Sequence, residues 1–314
     1  MQSPKAGPVA QAHVAPDLEL QPGFELTDPV TLTCPLVFCS PHSGATYPRR
    51  FLAMTRLDAL TLRRSEDAHV DRLFAGVTAL GAPLLRAHFP RAYLDVNREP
   101  YELDPRMFEG RLPAFANTRS LRVAGGLGTI ARVVGEAQEI YAHRLPVVEA
   151  IARIEGLYHP FHALLRRIIE RSQVRFGYSI LVDCHSMPSS ATQMDSRGKS
   201  RDALVSADFV IGNRFGASCD PLIADAIEHE LARMGYKVAR NKPYAGGFIT
   251  EHYGIPRNGR HAVQIEINRA LYMDERTLEP NVHFPALSRD LVELARLLAD
   301  LPFAGSGQTQ IAAE

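Results

Sequence analysis

Two apolar runs far apart in the chain close in the same way, and that shared ending constrains the fold more than any other feature. Leu36-Val-Phe-Cys-Ser leads into Pro41, His42, Ser43 and Gly44, and Ile180-Leu-Val leads into Asp183, Cys184, His185 and Ser186. Short β-branched apolar runs closed by turn residues read as buried strands. In open α/β sheets, ligands and catalytic groups collect at the carboxyl ends of strands. Two strand-end histidines this distant can meet only if their strands are neighbours in one sheet. Alone, either reads as a hydrogen-bonded structural residue. As a pair they read as part of a metal site, because neutral imidazole is the commonest nitrogen ligand of zinc and a catalytic zinc takes three protein ligands.

The rest of the chain reads as one α/β domain spanning 23–303, with a disordered arm over 1–22 and a disordered tail over 304–314. Phe24 to Thr33 reads as an irregular lead-in. A short helix begins near Asp58, and a second starts from a Ser65 N-cap, with Val70, Leu73, Phe74 and Val77 at helical spacing. Glu66, Asp67 and His69 would then lie in its first turn. Strands follow at Pro83–Phe89 and at Ala92–Asn97, then a long loop over 100–128. The pattern from Ile130 to about Phe176 is helical and includes His159 and His162, whose spacing suits a solvated helix face better than a metal pair. A polar loop covers 189–206. Further strands are expected at Phe209–Gly212, Tyr236–Arg240 and Ala262–Arg269, and helices at Pro221–Met234 and Phe284–Leu301. Paired Gly246 and Gly247 could hinge a loop over a site.

Inside the strand Ala262-Val-Gln-Ile-Glu-Ile-Asn-Arg269, the acid Glu266 interrupts an apolar pattern, and a buried charge needs a partner or a chemical task. With His42, His185 and Glu266 on neighbouring strands, zinc held by the two histidines and one carboxylate would polarise an amide carbonyl, and Glu266 would move the proton from water to the leaving nitrogen. Lys plus Arg and Asp plus Glu number 35 each, so net charge is zero and no basic stripe marks a nucleic-acid binder. The basic residues are nearly all arginine, which suits two-pronged binding of carboxylates. Arg91, Arg98 and Arg269 are candidates to hold a small anionic substrate.

No apolar stretch is long enough to span a membrane, and the N-terminus lacks the apolar core of a signal peptide, so a cytoplasmic location is expected, with neither a nucleic-acid nor a membrane partner. Cys34, Cys39, Cys184 and Cys219 show no C-x-x-C spacing and read as buried thiols. Cys184 and His185 are adjacent on an extended strand, so they point to opposite faces and do not form a nucleophile and base.

Six stretches together resemble the N-formylglutamate amidohydrolase family: Ser40-Pro-His-Ser-Gly44, Glu66-Asp-Ala-His-Val-Asp-Arg-Leu73, Leu94-Asp-Val-Asn-Arg98, Val182-Asp-Cys-His-Ser186, Gly246-Gly-Phe-Ile-Thr-Glu-His-Tyr-Gly254 and Gln264-Ile-Glu-Ile-Asn-Arg-Ala-Leu-Tyr-Met273. The resemblance runs from about residue 34 to 300, in the same order throughout. It implies a three-layer α/β fold like that of zinc carboxypeptidases, a mixed eight-stranded sheet between helices. It implies hydrolysis of N-formyl-L-glutamate to formate and L-glutamate in histidine degradation, with one Zn2+ per chain. His42 and His185 would be metal ligands, Glu266 the general base, and Asn97-Arg98 the pair that holds a substrate carboxylate, with Arg91, Arg269 and Tyr253 also on the substrate. Carboxypeptidases take an acidic ligand three residues after the first histidine, but that position is Ala45 here. Asp67 is the choice for the third ligand, with Glu66 and His69 as alternatives. Asp183 and Ser186 would support the ligands from behind.

Three other readings stay open. The same zinc chemistry could act on another N-formyl or N-acyl amino acid or a small peptide-like amide. The fold could serve as a non-catalytic binding protein. A cysteine hydrolase built on Cys184 would be sensitive to thiol alkylation and indifferent to chelators.

Overall fold

The computed structural model describes residues 17–135, 137–192 and 207–302. Most of the expected arm, residue 303 with the expected tail over 304–314, and the part of the polar loop over 193–206 lie outside the described residues. One mixed sheet organises the described chain. Its strands are β1 (Phe24–Thr27), β2 (Leu36–Ser40), β3 (Leu84–Ala87), β4 (Ser179–Met187), β5 (Phe209–Gly212), β6 (Val238–Arg240) and β7 (Arg260–Asn268). Their order across the sheet is β1-β3-β2-β4-β7-β5-β6. β3, β2, β4 and β7 run parallel, β1 and β5 pair antiparallel with β3 and β7, and β6 is parallel to β5. The sheet therefore has seven strands among the described residues rather than eight.

Helices α1 (Arg49–Met54), α2 (Ala59–Arg63), α3 (Val70–Leu73) and α4 (Leu121–Ala124) belong to the first half. They are followed by α5 (Val147–Arg153), α6 (His159–Phe176), α7 (Pro221–Arg233), α8 (Phe248–Tyr253) and α9 (Phe284–Ala299). No helix among the described residues is long and apolar enough to cross a membrane.

The alternation of the central strands sorts the core into two layers. Leu36, Phe38, Ile180, Val182, Cys184, Val263, Ile265 and Ile267 pack on one face with α7 and α9 residues such as Ile227 and Leu291. Val37, Cys39, Leu181 and Ala262 face the other way, toward Phe161 and Leu165 of α6. Asp183 and His185 continue the Leu181 row, and Gln264 and Glu266 continue the Ala262 row, so the polar residues share one face. The register sets Glu266 beside His185 and Gln264 beside Asp183. Cys39 pairs with Asp183, so continuing β2 past Ser40 delivers His42 to the same sheet edge.

Several local expectations give way to backbone constraints. Phe24–Thr27 is an edge strand, not a lead-in, and Leu18–Leu20 within the expected arm forms a 3-10 turn capped by Asp17. Ala92–Asn97 is not a strand: Tyr93 and Leu94 donate back to the Pro90 carbonyl, so the segment enters as a turn. The described residues of 130–146 are not helical, because Gly135 and Ala137 adopt positive φ and Pro146 precedes α5. Ser65 does not cap a helix. His69 takes the left-handed conformation at φ 65°, so α3 begins only at Val70, and Glu66 and Asp67 lie in the turn before it. All four cysteines are buried thiols, as expected.

Candidate metal centre and its cavity

Three elements bring His42, Asp67 and His185 together. His42 follows β2, His185 sits near the end of β4, and the Asp67 turn is tied to the first by its own N–H, which donates to the His42 carbonyl at 3.0 Å. One ligand atom from each lies within 4.8 Å of the others, and all three residues are buried. Asp67 Oδ2 is 2.9 Å from His185 Nδ1 and 3.4 Å from His42 Nδ1. The far nitrogens meet carboxylates: His42 Nε2 bonds Asp95 Oδ1 at 2.7 Å, and His185 Nε2 lies 2.9 Å from Asp183 Oδ1. Each imidazole is thus anchored through Nε2 and presents Nδ1 inward, the orientation that an outer carboxylate imposes on metal-binding histidines.

His42 Nδ1 is buried and has no hydrogen-bond partner. An orphaned buried nitrogen costs free energy unless something else engages it. Two imidazole nitrogens and a carboxylate oxygen form the donor set of a catalytic zinc, so the residues fit a divalent cation. Glu66 and His69 do not join them. Glu66 accepts from Tyr47 and Arg63, and His69 Nε2 is 2.8 Å from the Leu278 carbonyl.

Electrostatics follow from the same contacts. Burial opposes charge on His185, but Asp183 and Asp67 outweigh it and hold the imidazole well above its ordinary range. Burial also opposes charge on Asp95, yet Arg98, His42 and Arg91 hold its carboxyl well below the usual range. Burial pushes Glu266 up to about 8, helped by Asp67 and Asp183 and opposed by His185 and Arg91. A dication in the cradle would offset that rise. Gln264 steers the Glu266 carboxylate, donating to Oε1 at 2.7 Å while accepting from the Gly247 N–H at 2.7 Å.

These residues line a cavity of about 510 Å³, together with Arg64, Arg91, Asn97, Arg98, Arg122 and Arg269. Arg269 is engaged already, donating to Ser186 Oγ, Asp67 Oδ1 and the Arg64 carbonyl. Its guanidinium supports Asp67 rather than standing free for a ligand, and Ser186 joins it by donating to Asp67 Oδ1 at 3.1 Å. Arg91 pairs with Asp95 at 2.9 Å. Arg98 is held by the carbonyls of Leu127 and Asn97. Asn97 accepts from the Ile249 N–H at 2.7 Å and turns its amide nitrogen to Asp183 and His185.

Gly247 lies so close that a Cβ there would come within 2.5 Å of Asn97 Oδ1. At that position glycine serves close approach, whereas the sequence suggests a hinge. Tyr253 does not line the cavity; it is buried, with its hydroxyl 2.9 Å from His162 Nδ1.

Two residues escape sequence reasoning. Asp95 sits inside the Leu94–Arg98 stretch, and its signal is an acid among apolar neighbours, as for Glu266. Arg122 on α4 lines the cavity and lies 3.8 Å from the buried Glu102 carboxylate, but nothing in its local sequence distinguishes it from the many other arginines. Asp95→Asn should weaken metal affinity about 10- to 100-fold by loosening His42, as measured by metal titration with a competing chelator; unchanged affinity would remove Asp95 from that task.

Comparisons with known proteins agree with this geometry. The model of the N-formylglutamate amidohydrolase family matches residues 34–273. N-formylglutamate deformylase of Pseudomonas putida is 30% identical over 247 residues, 77% of this chain and 82% of that protein. The enzyme of the same name from Pseudomonas aeruginosa is 30% identical over 246 residues, 77% of this chain and 83% of its own. The crystal structure of N-formylglutamate amidohydrolase from Ralstonia eutropha superposes with a TM-score of 0.81 at 40% identity, covering 88% of this chain and 97% of that one. A gene product of Agrobacterium tumefaciens shares the fold at a TM-score of 0.62 and 20% identity, covering 88% of this chain and 94% of its own. This chain belongs to the N-formylglutamate amidohydrolase family.

Proposed function

We propose that this chain hydrolyses the formyl amide of N-formyl-L-glutamate, giving formate and L-glutamate. The observation that carries the reading is the convergence of His42, Asp67 and His185 beside Glu266 in an arginine-lined cavity. The names of the relatives supply the substrate. His42 and His185 through Nδ1, and Asp67 through its carboxylate, would hold one zinc ion. When bound, that ion would polarise the formyl carbonyl and acidify water.

The chain's own residues do the rest. Glu266 accepts a proton as the oxygen of water bonds to the formyl carbon. It returns that proton to the amide nitrogen as the C–N bond breaks, so formate and the free amine leave. Burial raises the proton affinity of the Glu266 carboxyl, and the positive charge of a bound dication would keep it ionised and able to accept. Arg98, with Asn97 beside it, takes one substrate carboxylate. Arg122, held only loosely by Glu102 at 3.8 Å, takes the other. Leu127, Ala131 and Val133 line the same cavity and suit the methylenes between the two carboxylates.

Arg98→Ala and Arg122→Leu should each raise KM by about tenfold or more while kcat changes little, because a lost charge-assisted bond to a substrate carboxylate is worth roughly 1.5–3 kcal/mol. Steady-state kinetics on formate release checks this, and an unchanged KM would remove that arginine from the substrate. The reading as a whole is tested by a panel of N-formyl-L-glutamate, N-formyl-L-glutamine, N-formyl-L-methionine and N-acetyl-L-glutamate. N-formyl-L-glutamate should have the highest kcat/KM. A higher value for another member would keep the amide chemistry and replace the substrate.

A further inference from the structure

The segment that carries Asp95, Asn97 and Arg98 is irregular, so no sheet ladder holds its carbonyls in place. Two side chains of the adjacent helical run do so instead. The Tyr158 hydroxyl donates to the Arg98 carbonyl at 2.7 Å, and His162 Nε2 lies 2.8 Å from the Val96 carbonyl. The two acceptors flank Asn97. Tyr158 closes a π-turn over Ile154–Tyr158, and His162 lies four residues on in α6, so both share one face. Such turns recur near functional sites. Both residues are almost fully buried, and their rings lie 4.3 Å apart.

The bonds close into a ring. Burial lowers the His162 pKa to about 4, so the imidazole is neutral and its Nε2–H donates to Val96 while Nδ1 accepts from Tyr253. Tyr253 stacks on His162 at 5.9 Å and belongs to α8. The same helix supplies the Ile249 N–H that fixes the Asn97 side chain. Helix α8, Asn97, the Val96 carbonyl, His162 and Tyr253 therefore form one buried circuit, with Tyr158 bracing its outer side.

We infer that Tyr158 and His162 are positioning residues that clamp the Val96–Arg98 backbone from both sides of Asn97 and so set the placement of Asn97 and Arg98 in the cavity. The inference rests on the amide-hydrolase reading. It gives a task to His162, which the sequence places on a solvated helix face in preference to a metal pair but which is buried, and to Tyr253, which does not reach the cavity.

The test compares purified full-length variants on N-formyl-L-glutamate, each assayed well below its own melting midpoint and with metal content measured in parallel. Tyr158→Phe removes one oxygen and leaves the packing, and should raise KM about fivefold with kcat within about twofold, because it frees the backbone under Arg98. His162→Leu should lower kcat/KM by about tenfold or more at unchanged metal content. His162→Gln should recover most of that loss, since its amide N–H can reach the Val96 carbonyl while the aromatic ring is gone.

A role limited to filling the core predicts instead that Gln and Leu lose activity equally, in step with melting temperature. That result overturns the inference, as would wild-type kinetics in both Tyr158→Phe and His162→Leu. Should His162→Leu fail to fold, Tyr158→Phe decides alone. Wild-type protein that releases no formate from any N-formyl amino acid overturns the hydrolase reading, and the inference with it.

Discussion

Glu266→Gln should lower kcat by about 10³-fold and leave metal content unchanged, within the 10²- to 10⁴-fold range of a positioned general base. The size of the effect follows from what the substitution keeps. Glutamine has the same shape, and its amide oxygen can still accept from Gln264, whose nitrogen lies 2.7 Å from Glu266 Oε1. Glu266 is not one of the three converging donors, so removing its charge leaves the metal cradle intact. What disappears is the capacity to take a proton from water and return it to the leaving nitrogen. Pre-steady-state and steady-state formate release, together with metal analysis, separates the two effects. Loss of metal in Glu266→Gln would make Glu266 a ligand, and retained turnover would move the base to another group.

Asp67→Asn should remove metal and activity together and lower kcat/KM by more than about 100-fold, since losing a ligand would cost more than the 10- to 100-fold typical of the groups behind it. The carboxylate is the point on which His42, His185, Ser186 and Arg269 all converge. Two imidazoles alone are a poor site for a divalent cation. Asparagine keeps the size and can still accept from Ser186, so the fold survives. Asparagine does leave Arg269 without its counter-charge, and Asp67→Ala would in addition remove the oxygen that accepts from Arg269 and Ser186. Glu66→Gln serves as the control, because that carboxylate is turned toward Tyr47 and Arg63 and should not alter metal stoichiometry. Full zinc occupancy in Asp67→Asn would show that the third ligand is another residue.

The parts of the site that could be read from the sequence are those that regular structure delivers. His42 and His185 follow apolar strands whose alternation decides which way each side chain points. Glu266 stands out because an acid inside such a strand is costly unless it is paired or put to chemical use. Strands β2, β4, β5 and β7 were legible for the same reason. What was not legible lies where tertiary contacts override local pattern. Ala92–Asn97 has the composition of a strand, yet the Val96 carbonyl within it and the Arg98 carbonyl just beyond go to His162 and Tyr158, far along the chain.

The half-exposed edge strand Phe24–Thr27 gains its hydrogen bonds from β3, and nothing within its four residues announces that partner. Tyr253 stands in a stretch that resembles a family motif, but α8 directs it to His162 rather than into the cavity. Asp67 was one of three acid or imidazole candidates in a single turn. The Asp67 N–H bond to the His42 carbonyl turns it toward the histidines, while Glu66 is taken up by Tyr47 and Arg63 and His69 by the Leu278 carbonyl, contacts that the local sequence does not reveal.

The most direct test of the central claim is formate release from N-formyl-L-glutamate by the purified protein, measured as isolated, after exhaustive chelation verified by metal analysis, and after zinc is restored. The account predicts activity that is lost on chelation and recovered with about one zinc per chain. Undiminished formate release from protein shown to be metal-free would contradict it.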